Sequence, residues 1–343
     1  MKQIKYIYMP ILMLISWIYG LIIWIRNKLF DLNWIKSDYF NQPIISIGNI
    51  TTGGTGKTPL VIHIAKIILA QGKTPGIISR GYGRKSKGMF VVHNGKKLLF
   101  DVATSGDEPF LIGKLLKKVP IIVSENRSMG IKKLLEDFSV DIVIMDDGFQ
   151  HRKVKRDLNI ITVSGNESFS NYKLLPIGKL REPLQNIKRA DLLIYTKTEN
   201  FPHIHSKLES YYKQDFIFCI FHPILMKYNL FKNNKSQIPD EPVFAFCGIA
   251  DSKSFFQSII KFGIKIKGKK SYRDHQNYND KILKKLSKKI TELNVKNIIT
   301  TEKDVVKLPD HFINNFEIYI IKIDIIMNDE AIIIKKIDSL FIN

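Results

Sequence analysis

The sequence predicts an α/β fold with a mostly parallel sheet. Apolar runs rich in β-branched residues alternate with amphipathic runs along the chain, and a glycine-rich loop lies between one such strand and the helix after it. The third observation is an uncharged apolar stretch near the N-terminus, which predicts a hydrophobic helix outside the sheet. We therefore expect an N-terminal hydrophobic membrane-associated helix, a larger α/β unit and a second, smaller α/β unit.

The N-terminal apolar stretch covers residues 6–25 and carries no charge over 20 residues. Lysines precede it, Arg26 and Lys28 follow it, and its tryptophans favour a membrane interface. No small-residue cleavage site follows, which argues against a removed signal peptide. Three interpretations stay open: a helix that spans the bilayer, a helix that lies in the interface, or a buried core helix.

The next part of the chain contains the larger predicted α/β unit. Its predicted strands are residues 44–47, 76–79, 121–123, 141–145, 158–163 and 191–196. Its predicted helices are residues 57–71, 108–118 and 127–138. Within residues 89–101, the pair Asn94-Gly95 between apolar runs predicts the turn of a β-hairpin.

A polar segment at residues 227–241, KYNLFKNNKSQIPDE, is awkward for regular structure and predicts a linker. Beyond it, strand and helix patterns alternate again. The predicted parts are an apolar helix at 1–30, a larger nucleotide-binding domain at 31–226, the linker at 227–241 and a smaller α/β domain at 242–343.

Composition restricts the class of protein. The chain has 343 residues, of which 45% are hydrophobic, so a packed core is expected. Its two cysteines, Cys219 and Cys247, indicate neither a disulfide framework nor a cysteine metal site, which fits a reducing cytosolic setting. The net charge of +21 attracts anions, and an anionic membrane surface is expected. No nucleic-acid partner is expected, because arginine-rich arms and basic motifs interleaved with aromatics are lacking. A monomer is expected, although the oligomeric state stays open.

The glycine-rich loop reads TTGGTGKT and resembles the phosphate-binding pattern G-x-x-x-x-G-K-[ST], with Thr51 in place of the first glycine. Its glycines let backbone N–H groups converge on phosphate oxygens, and the next helix offers its positive end. Lys57 is expected to reach the β- and γ-phosphates, and the Thr58 hydroxyl to bind Mg²⁺. The expected nucleotide-binding residues are Thr51, Thr52, Gly53, Gly54, Thr55, Gly56, Lys57 and Thr58.

An apolar strand that ends in carboxylates, DIVIMDDGFQH at residues 141–151, is the usual companion of such a loop. Asp146 and Asp147 are expected at its carboxyl end, where they would hold Mg²⁺ directly or through water. Adjacent strand residues point to opposite faces. One of the two is therefore open to a structural role that caps the turn at Gly148.

Two further polar motifs belong to the larger unit. Residues 105–109, SGDEP, open a helical pattern, and Asp107 taken alone suits a helix N-cap. Residues 80–84, RGYGR, follow a strand with glycines that permit close approach and arginines that suit anions.

Two more motifs lie further along the chain. Residues 176–183, PIGKLREP, form a constrained loop that carries Arg181 and Glu182. Residues 272–278, YRDHQNY, place His275 in a polar turn of the second unit. In isolation, a histidine of this kind is more often structural or solvated than catalytic.

Taken together, these segments resemble the tetraacyldisaccharide 4′-kinase family. The matching stretches, in chain order, are GNITTGGTGKTP, SRGYGRKSKG, GDEPFLI, ENR, DDGFQHRKVKRDLNI, PIGKLREP, YRDHQNY and TTEKD. They extend from residue 48 to about 304, so nearly the whole chain is covered. The family shares the departure at Thr51. Tyr272 and Gln276 stand where the family often has histidine, which leaves the core Asp274-His275 intact.

The resemblance implies a membrane-bound kinase that uses ATP and Mg²⁺. It would transfer the γ-phosphate to the 4′-hydroxyl of a tetraacyldisaccharide 1-phosphate, forming lipid IVA in lipid A biosynthesis. It also implies a P-loop NTPase-like α/β/α sandwich joined to a smaller domain that closes over nucleotide, at the cytoplasmic face of the inner membrane.

The resemblance also implies residue roles. Asp107 would pair with His275 and orient it as a general base, and Lys57 would bind phosphates. Arg181 would either stabilise the transferring charge or bind the 1-phosphate of the acceptor. The expected metal ligands are Thr58, Asp146, Asp147, Glu108 and Glu182. The expected acceptor contacts are Arg80, His151 and Arg181.

Two other classes of protein remain as alternatives. A membrane-associated NTPase switch would use water as acceptor, and TKTE at residues 196–199 faintly resembles a guanine-recognition pattern. That interpretation leaves residues 176–183 and 272–278 without a role. A non-enzymatic basic adaptor would not bind nucleotide at all.

Overall fold

Twelve strands in one sheet form the frame of this computed structural model, which describes residues 8–198, 208, 210–228 and 238–342. The strands are β1 Ile44–Asn49, β2 Pro75–Ser79, β3 Phe90–Asn94, β4 Pro120–Val123, β5 Ile142–Asp146, β6 Leu158–Ser164, β7 Leu192–Thr196, β8 Phe216–Lys227, β9 Val243–Cys247, β10 Ile266–Ser271, β11 Asn297–Thr301 and β12 Glu317–Met327. Their order in the sheet is β10-β9-β11-β12-β8-β7-β6-β1-β5-β2-β4-β3. Two neighbouring pairs, β12 with β8 and β3 with β4, are antiparallel, and the other described pairs are parallel.

Helices cover both faces of the sheet. They are α1 Met9–Asp31, α2 Lys57–Ala70, α3 Val102–Ser105, α4 Asp107–Leu115, α5 Arg127–Asp137, α6 Ser252–Lys261, α7 Asp280–Glu292, α8 Glu302–Val305, α9 Asp310–Ile313 and α10 Glu330–Asp338. Short 3₁₀ helices occur at Phe169–Asn171, Leu184–Arg189 and Ser339–Phe341. The three helices predicted in the larger unit are present with ends shifted by at most three residues.

Strand periodicity divides the core into two layers. On β1, Ile45 packs in the same cluster as Leu60 of α2, whereas its neighbour Ile44 packs with Leu134 of α5 on the opposite face. This alternation follows from the period of two along a strand. The sandwich predicted for the larger unit is therefore present.

Local chemistry fixes several helix starts. The Asn126 and Asn279 side chains accept hydrogen bonds from backbone N–H groups in the first turns of α5 and α7. At α4, Gly106 is the N-cap and Asp107 is the first helical residue. The N-cap role considered for Asp107 is therefore wrong, and its carboxylate is available for other partners.

The predicted hairpin is only partly present. Gly95 has a φ of +81°, as the turn requires, but the returning chain forms a single bridge between His93 and Leu98. Strand β3 instead pairs with β4, antiparallel, at the edge of the sheet.

The two predicted α/β units share the sheet, because β8 pairs with both β7 and β12. Ile333 and Ile337 of α10 also pack into the core cluster of the first unit. Lys227 belongs to β8, and residues 229–237 of the predicted linker lie outside the described residues. The domain boundaries stay a prediction.

Helix α1 has 23 residues and is the one helix in the described ranges that is long and apolar enough to cross a membrane. Only Ser16 and Asn27 of α1 are buried, while Trp17 and Trp24 are exposed. The core-helix interpretation is therefore wrong for α1. The choice between a spanning and an interfacial helix stays open.

Candidate active site

Buried hydroxyl and amide groups of the neighbouring strands hold the phosphate loop in place. The Thr55 hydroxyl lies 2.7 Å from the Thr162 hydroxyl and accepts a hydrogen bond from Asn49 Nδ2 at 3.0 Å. The Thr196 hydroxyl donates to the Thr55 carbonyl at 2.7 Å. Three strands, β1, β6 and β7, thus fix the base of the loop, because each supplies one of these groups. At the other end of the loop, Lys57 and Thr58 open helix α2.

The outer side of the phosphate loop contacts the segment that carries Arg181. The Thr52 N–H donates to the Lys179 carbonyl at 2.7 Å, and the Arg181 N–H donates to the Ile50 carbonyl at 2.8 Å. The structure therefore places residues 176–183 directly beside the phosphate loop, as their predicted roles require.

Asp147 is the centre of a cluster of charges. Its carboxylate lies 3.3 Å from Lys57 Nζ and accepts hydrogen bonds from Arg181 at 3.0 and 2.9 Å. Burial alone would raise the pKa of Asp147, but Lys57 and Arg181 hold that pKa below its ordinary value. Its φ of +50° turns the chain out of β5, which brings this carboxylate to the two cations.

Asp146 has a different environment. It is 1% exposed, and Ser79 donates a hydrogen bond to its Oδ2 at 2.9 Å. Its Oδ1 is buried without a hydrogen-bond partner. Burial raises the pKa of Asp146, and the nearby Glu108 and Asp147 raise it further. A free, buried carboxylate oxygen beside a phosphate loop fits the ligand chemistry of Mg²⁺.

An aspartate and a histidine meet across the two predicted units. His275 Nδ1 lies 3.3 Å from Asp107 Oδ2, and Lys307 Nζ lies 3.2 Å from the same oxygen. Burial would raise the pKa of Asp107, but the hydrogen bond from His275 and the charge of Lys307 lower it. Because Asp107 is ionised and faces Nδ1, it favours the tautomer with a proton on Nδ1, which leaves the lone pair on Nε2.

Lys303 joins the same cluster. Its Nζ lies 3.2 Å from Glu108 and 3.4 Å from His275 Nε2. Neither Lys303 nor Lys307 was predicted from the sequence as part of the site, although Lys303 belongs to the matching motif TTEKD. A lysine on a short helix looks solvated in a sequence, and only the fold shows what it faces.

A basic group interacts electrostatically with the acidic pair Asp146 and Asp147. Arg127, which is 3% exposed, donates from Nη1 to the Ser124 carbonyl at 2.6 Å, and its Nε has no partner. The His151 Nε2 is likewise buried without a partner. Burial lowers the pKa of His151 to about 4, helped by Arg127 and the exposed Arg80. A neutral His151 beside two arginines suits an anionic ligand. The ENR motif was the signal for Arg127, but no role was predicted for it.

Glu182 is fully buried, and its oxygens accept hydrogen bonds from four side chains. These donors are Asn27, Gln150, Asn186 and Arg189. The metal-ligating role of Glu182 stays a prediction, and these contacts favour a structural one.

In the described part of the chain, no group of three or more His, Cys, Asp or Glu side chains could hold a metal ion alone. The predicted role of Asp146 and Thr58 as Mg²⁺ ligands would therefore require phosphate oxygens and water as the other ligands.

Known proteins are similar to this chain over most of its length. Residues 8–341 match the family described as LpxK: Tetraacyldisaccharide-1-P 4′-kinase. The Tetraacyldisaccharide 4′-kinase of Desulfotalea psychrophila is 33% identical over 311 residues, covering 89% of this chain and 89% of that relative. The enzyme of that name from Aquifex aeolicus is 36% identical over 311 residues, covering 88% of this chain and 92% of the relative.

A crystal structure described as the "apo" form of LpxK from Aquifex aeolicus in complex with ATP has the same fold, with a TM-score of 0.80 and 32% identity. The match covers 98% of this chain and 99% of that chain. The α/β fold predicted from the sequence is therefore confirmed, and so is the resemblance inferred from the motifs. This chain belongs to the tetraacyldisaccharide-1-P 4′-kinase family.

Proposed function

We propose that this chain transfers the γ-phosphate of ATP to the 4′-hydroxyl of a tetraacyldisaccharide 1-phosphate, giving lipid IVA. The main support is the pairing of Asp107 with His275 in a member of this kinase family. A nucleotide switch needs no such pair, because water is its acceptor.

Nucleotide binding rests on the phosphate loop. Backbone N–H groups of residues 51–58 and the start of α2 would bind the phosphates, with Lys57 reaching the β- and γ-oxygens. The side chain of Lys57 is already held beside Asp147 at 3.3 Å, so its position is set before the ligand arrives. ATP is the proposed nucleotide, because the Aquifex aeolicus relative is in complex with ATP.

A divalent cation fits the acidic pair. Asp146 and Thr58 would hold Mg²⁺ directly, with Asp147 and Glu108 close by. When bound, Mg²⁺ would neutralise the charge of the β- and γ-phosphates.

His275 would remove the proton from the acceptor. The 4′-oxygen attacks the γ-phosphorus, the bond from that phosphorus to the ADP oxygen breaks, and the hydroxyl proton passes to Nε2. Asp107 holds the ring through Nδ1 and stabilises the imidazolium that forms. Lys303 lies 3.4 Å from Nε2, so the acceptor hydroxyl would displace its ammonium group.

Two groups of cations would recognise the remaining negative charge. Arg181, which donates to Asp147, would stabilise the phosphoryl group in transfer. Arg80, Arg127 and the neutral His151 would bind the acceptor, and the charges of the two arginines suit its 1-phosphate.

The proposed location is the cytoplasmic face of the inner membrane. The exposed apolar side of α1 and the net charge of +21 suit an anionic membrane surface, and ATP is a cytosolic substrate. A lipid acceptor would be reached from the same surface.

The test is phosphate transfer by the purified chain in detergent, with γ-labelled ATP and the disaccharide lipid. ADP release that depends on the acceptor, with label in the lipid, supports the kinase. Hydrolysis without labelled lipid would instead indicate an NTPase switch, and a failure to bind nucleotide would indicate an adaptor.

A further inference from the structure

Residues 174–182, here called the bridging loop, lie between helix α1 and the phosphate loop. On the inner side, the Lys179 carbonyl accepts from Thr52, and the Arg181 N–H donates to Ile50. These bonds fix the bridging loop to the phosphate loop through its main chain.

On the outer side, polar residues of α1 contact the same loop. The Ser16 hydroxyl donates to the Leu174 carbonyl at 3.2 Å, and the Tyr19 hydroxyl donates to the Arg181 carbonyl at 2.5 Å. Asn27 Nδ2 donates to Glu182 at 3.3 Å. Spacings of three and eight residues place these three side chains on one side of the helix.

The helix also approaches the bridging loop closely. A Cβ atom at Gly20 would lie only 2.9 Å from Leu174 Cδ1. An anchor alone needs only apolar contact with lipid, so hydroxyl and amide groups directed at a loop carrying Arg181 need another explanation.

We infer that Tyr19 is a positioning residue, which fixes the main chain of Arg181 so that its guanidinium group faces Asp147. The inference rests on the proposed function. Arg181 is held from both sides, because its N–H donates to Ile50 and its carbonyl accepts from Tyr19. Loss of the hydrogen bond from Tyr19 frees the peptide group that follows Arg181. The guanidinium group then faces Asp147 for a smaller fraction of the time.

The first test is Tyr19→Phe, which removes one hydroxyl and keeps the ring. The expected result is a fall in kcat of roughly fivefold to tenfold, with an unchanged KM for ATP. Binding to lipid vesicles should also be unchanged, because the apolar face of α1 is intact. The matched control is Tyr8→Phe, which makes the same change at a side chain that is 55% exposed at the start of the helix, and should have wild-type kcat.

The second test combines Tyr19→Phe with Arg181→Ala. If Tyr19 acts through Arg181, the double variant should be no slower than Arg181→Ala alone. An equal fall in both backgrounds would overturn the inference. So would a loss that appears only as weaker vesicle binding, since α1 would then be an anchor only.

Failure of the proposed function has a different signature. It would appear in the wild-type chain, as ATP hydrolysis without phosphate in the lipid. The same pair of variants would then be compared by hydrolysis rate, so the role of Tyr19 is tested in either case. Unfolding midpoints of all variants show whether a slow variant is folded.

Discussion

Asp146 illustrates how a functional residue can oppose stability. Its carboxylate is buried beside Glu108 and Asp147, and one of its oxygens has no partner. An ionised carboxylate in such a place is unfavourable unless a cation is bound. The environment that suits a metal ligand therefore destabilises the unliganded protein.

Asp146→Asn should raise the free energy of unfolding of the metal-free protein at pH 8, by on the order of 2 kcal/mol. Because the pKa of Asp146 is raised on folding to about 7, its carboxylate lowers the free energy of unfolding only where it must ionise. This destabilisation is absent below about pH 4 and complete above about pH 7. Urea denaturation at pH 8 and pH 4 measures the effect, which should disappear at the lower pH. The same variant should lose phosphate transfer.

The matched control is Asp141→Asn, an exposed aspartate at the other end of the same strand. It keeps an oxygen that can accept from the Thr74 N–H, so little change is expected at either pH. If Asp146→Asn destabilises the chain at both pH values, the argument from burial is wrong.

His275→Ala should lower kcat by about 10²- to 10⁴-fold and leave nucleotide affinity nearly unchanged. In the proposed mechanism the imidazole faces the acceptor, whereas the phosphate loop binds ATP. Single-turnover kinetics and a nucleotide titration separate the two effects. His311→Ala changes an exposed histidine of the same half of the chain and should behave as wild type. Normal turnover by His275→Ala would remove this residue from the chemistry.

At the scale of elements, the phosphate loop depends on a close approach of two segments. Gly56 has a φ of +81°, and a Cβ there would lie 2.1 Å from Cζ of Phe221 on β8. Both conformation and space therefore require glycine at this position.

Gly56→Ala should destabilise the chain and weaken nucleotide binding, because the Phe221 ring must move. Gly72→Ala is the control: its φ of +76° is similar, but no atom lies within 4 Å of the added Cβ. Gly72→Ala should therefore lower the free energy of unfolding by about 1–2 kcal/mol, which is the strain of a positive φ for alanine. Chemical unfolding and a nucleotide titration of both variants test the difference, and equal costs would contradict the steric argument.

Elements with local signals were predictable from the sequence, and those set by distant pairing were not. The strand, loop and helix around Lys57 have a period and glycine pattern that need no tertiary context. Strand β8 has 12 residues, and its antiparallel pairing with β12 makes one sheet of both halves. No local pattern specifies that partner, and the polar composition of residues 227–241 predicts a linker where β8 ends.

At the scale of the whole molecule, the candidate site is formed from both halves of the chain. Lys303 and Lys307 of the second half lie 3.2 Å from Glu108 and Asp107 of the first. The family resemblance implied the pairing of Asp107 with His275, but not the lysines around it. Opposite charges that are far apart in sequence meet only because of the sheet topology, which motif spacing does not contain.

Membrane binding should combine an apolar and an electrostatic contribution. The exposed apolar side of α1 should bind vesicles of zwitterionic lipid with little dependence on salt. The net charge of +21 should add binding to anionic vesicles. This second part should vanish near 1 M salt, where the screening length is about 3 Å rather than about 10 Å at 0.1 M.

Co-sedimentation with both vesicle types, at low and high salt, separates the two contributions. Trp17→Gln combined with Trp24→Gln removes apolar groups that are 66% and 55% exposed, so folding should be unaffected. This double variant should lose binding to zwitterionic vesicles. It should keep the electrostatic binding to anionic vesicles, which high salt removes. If the wild-type chain binds anionic vesicles only, and high salt removes all of that binding, then α1 does not enter the membrane and charge alone holds the protein at the surface.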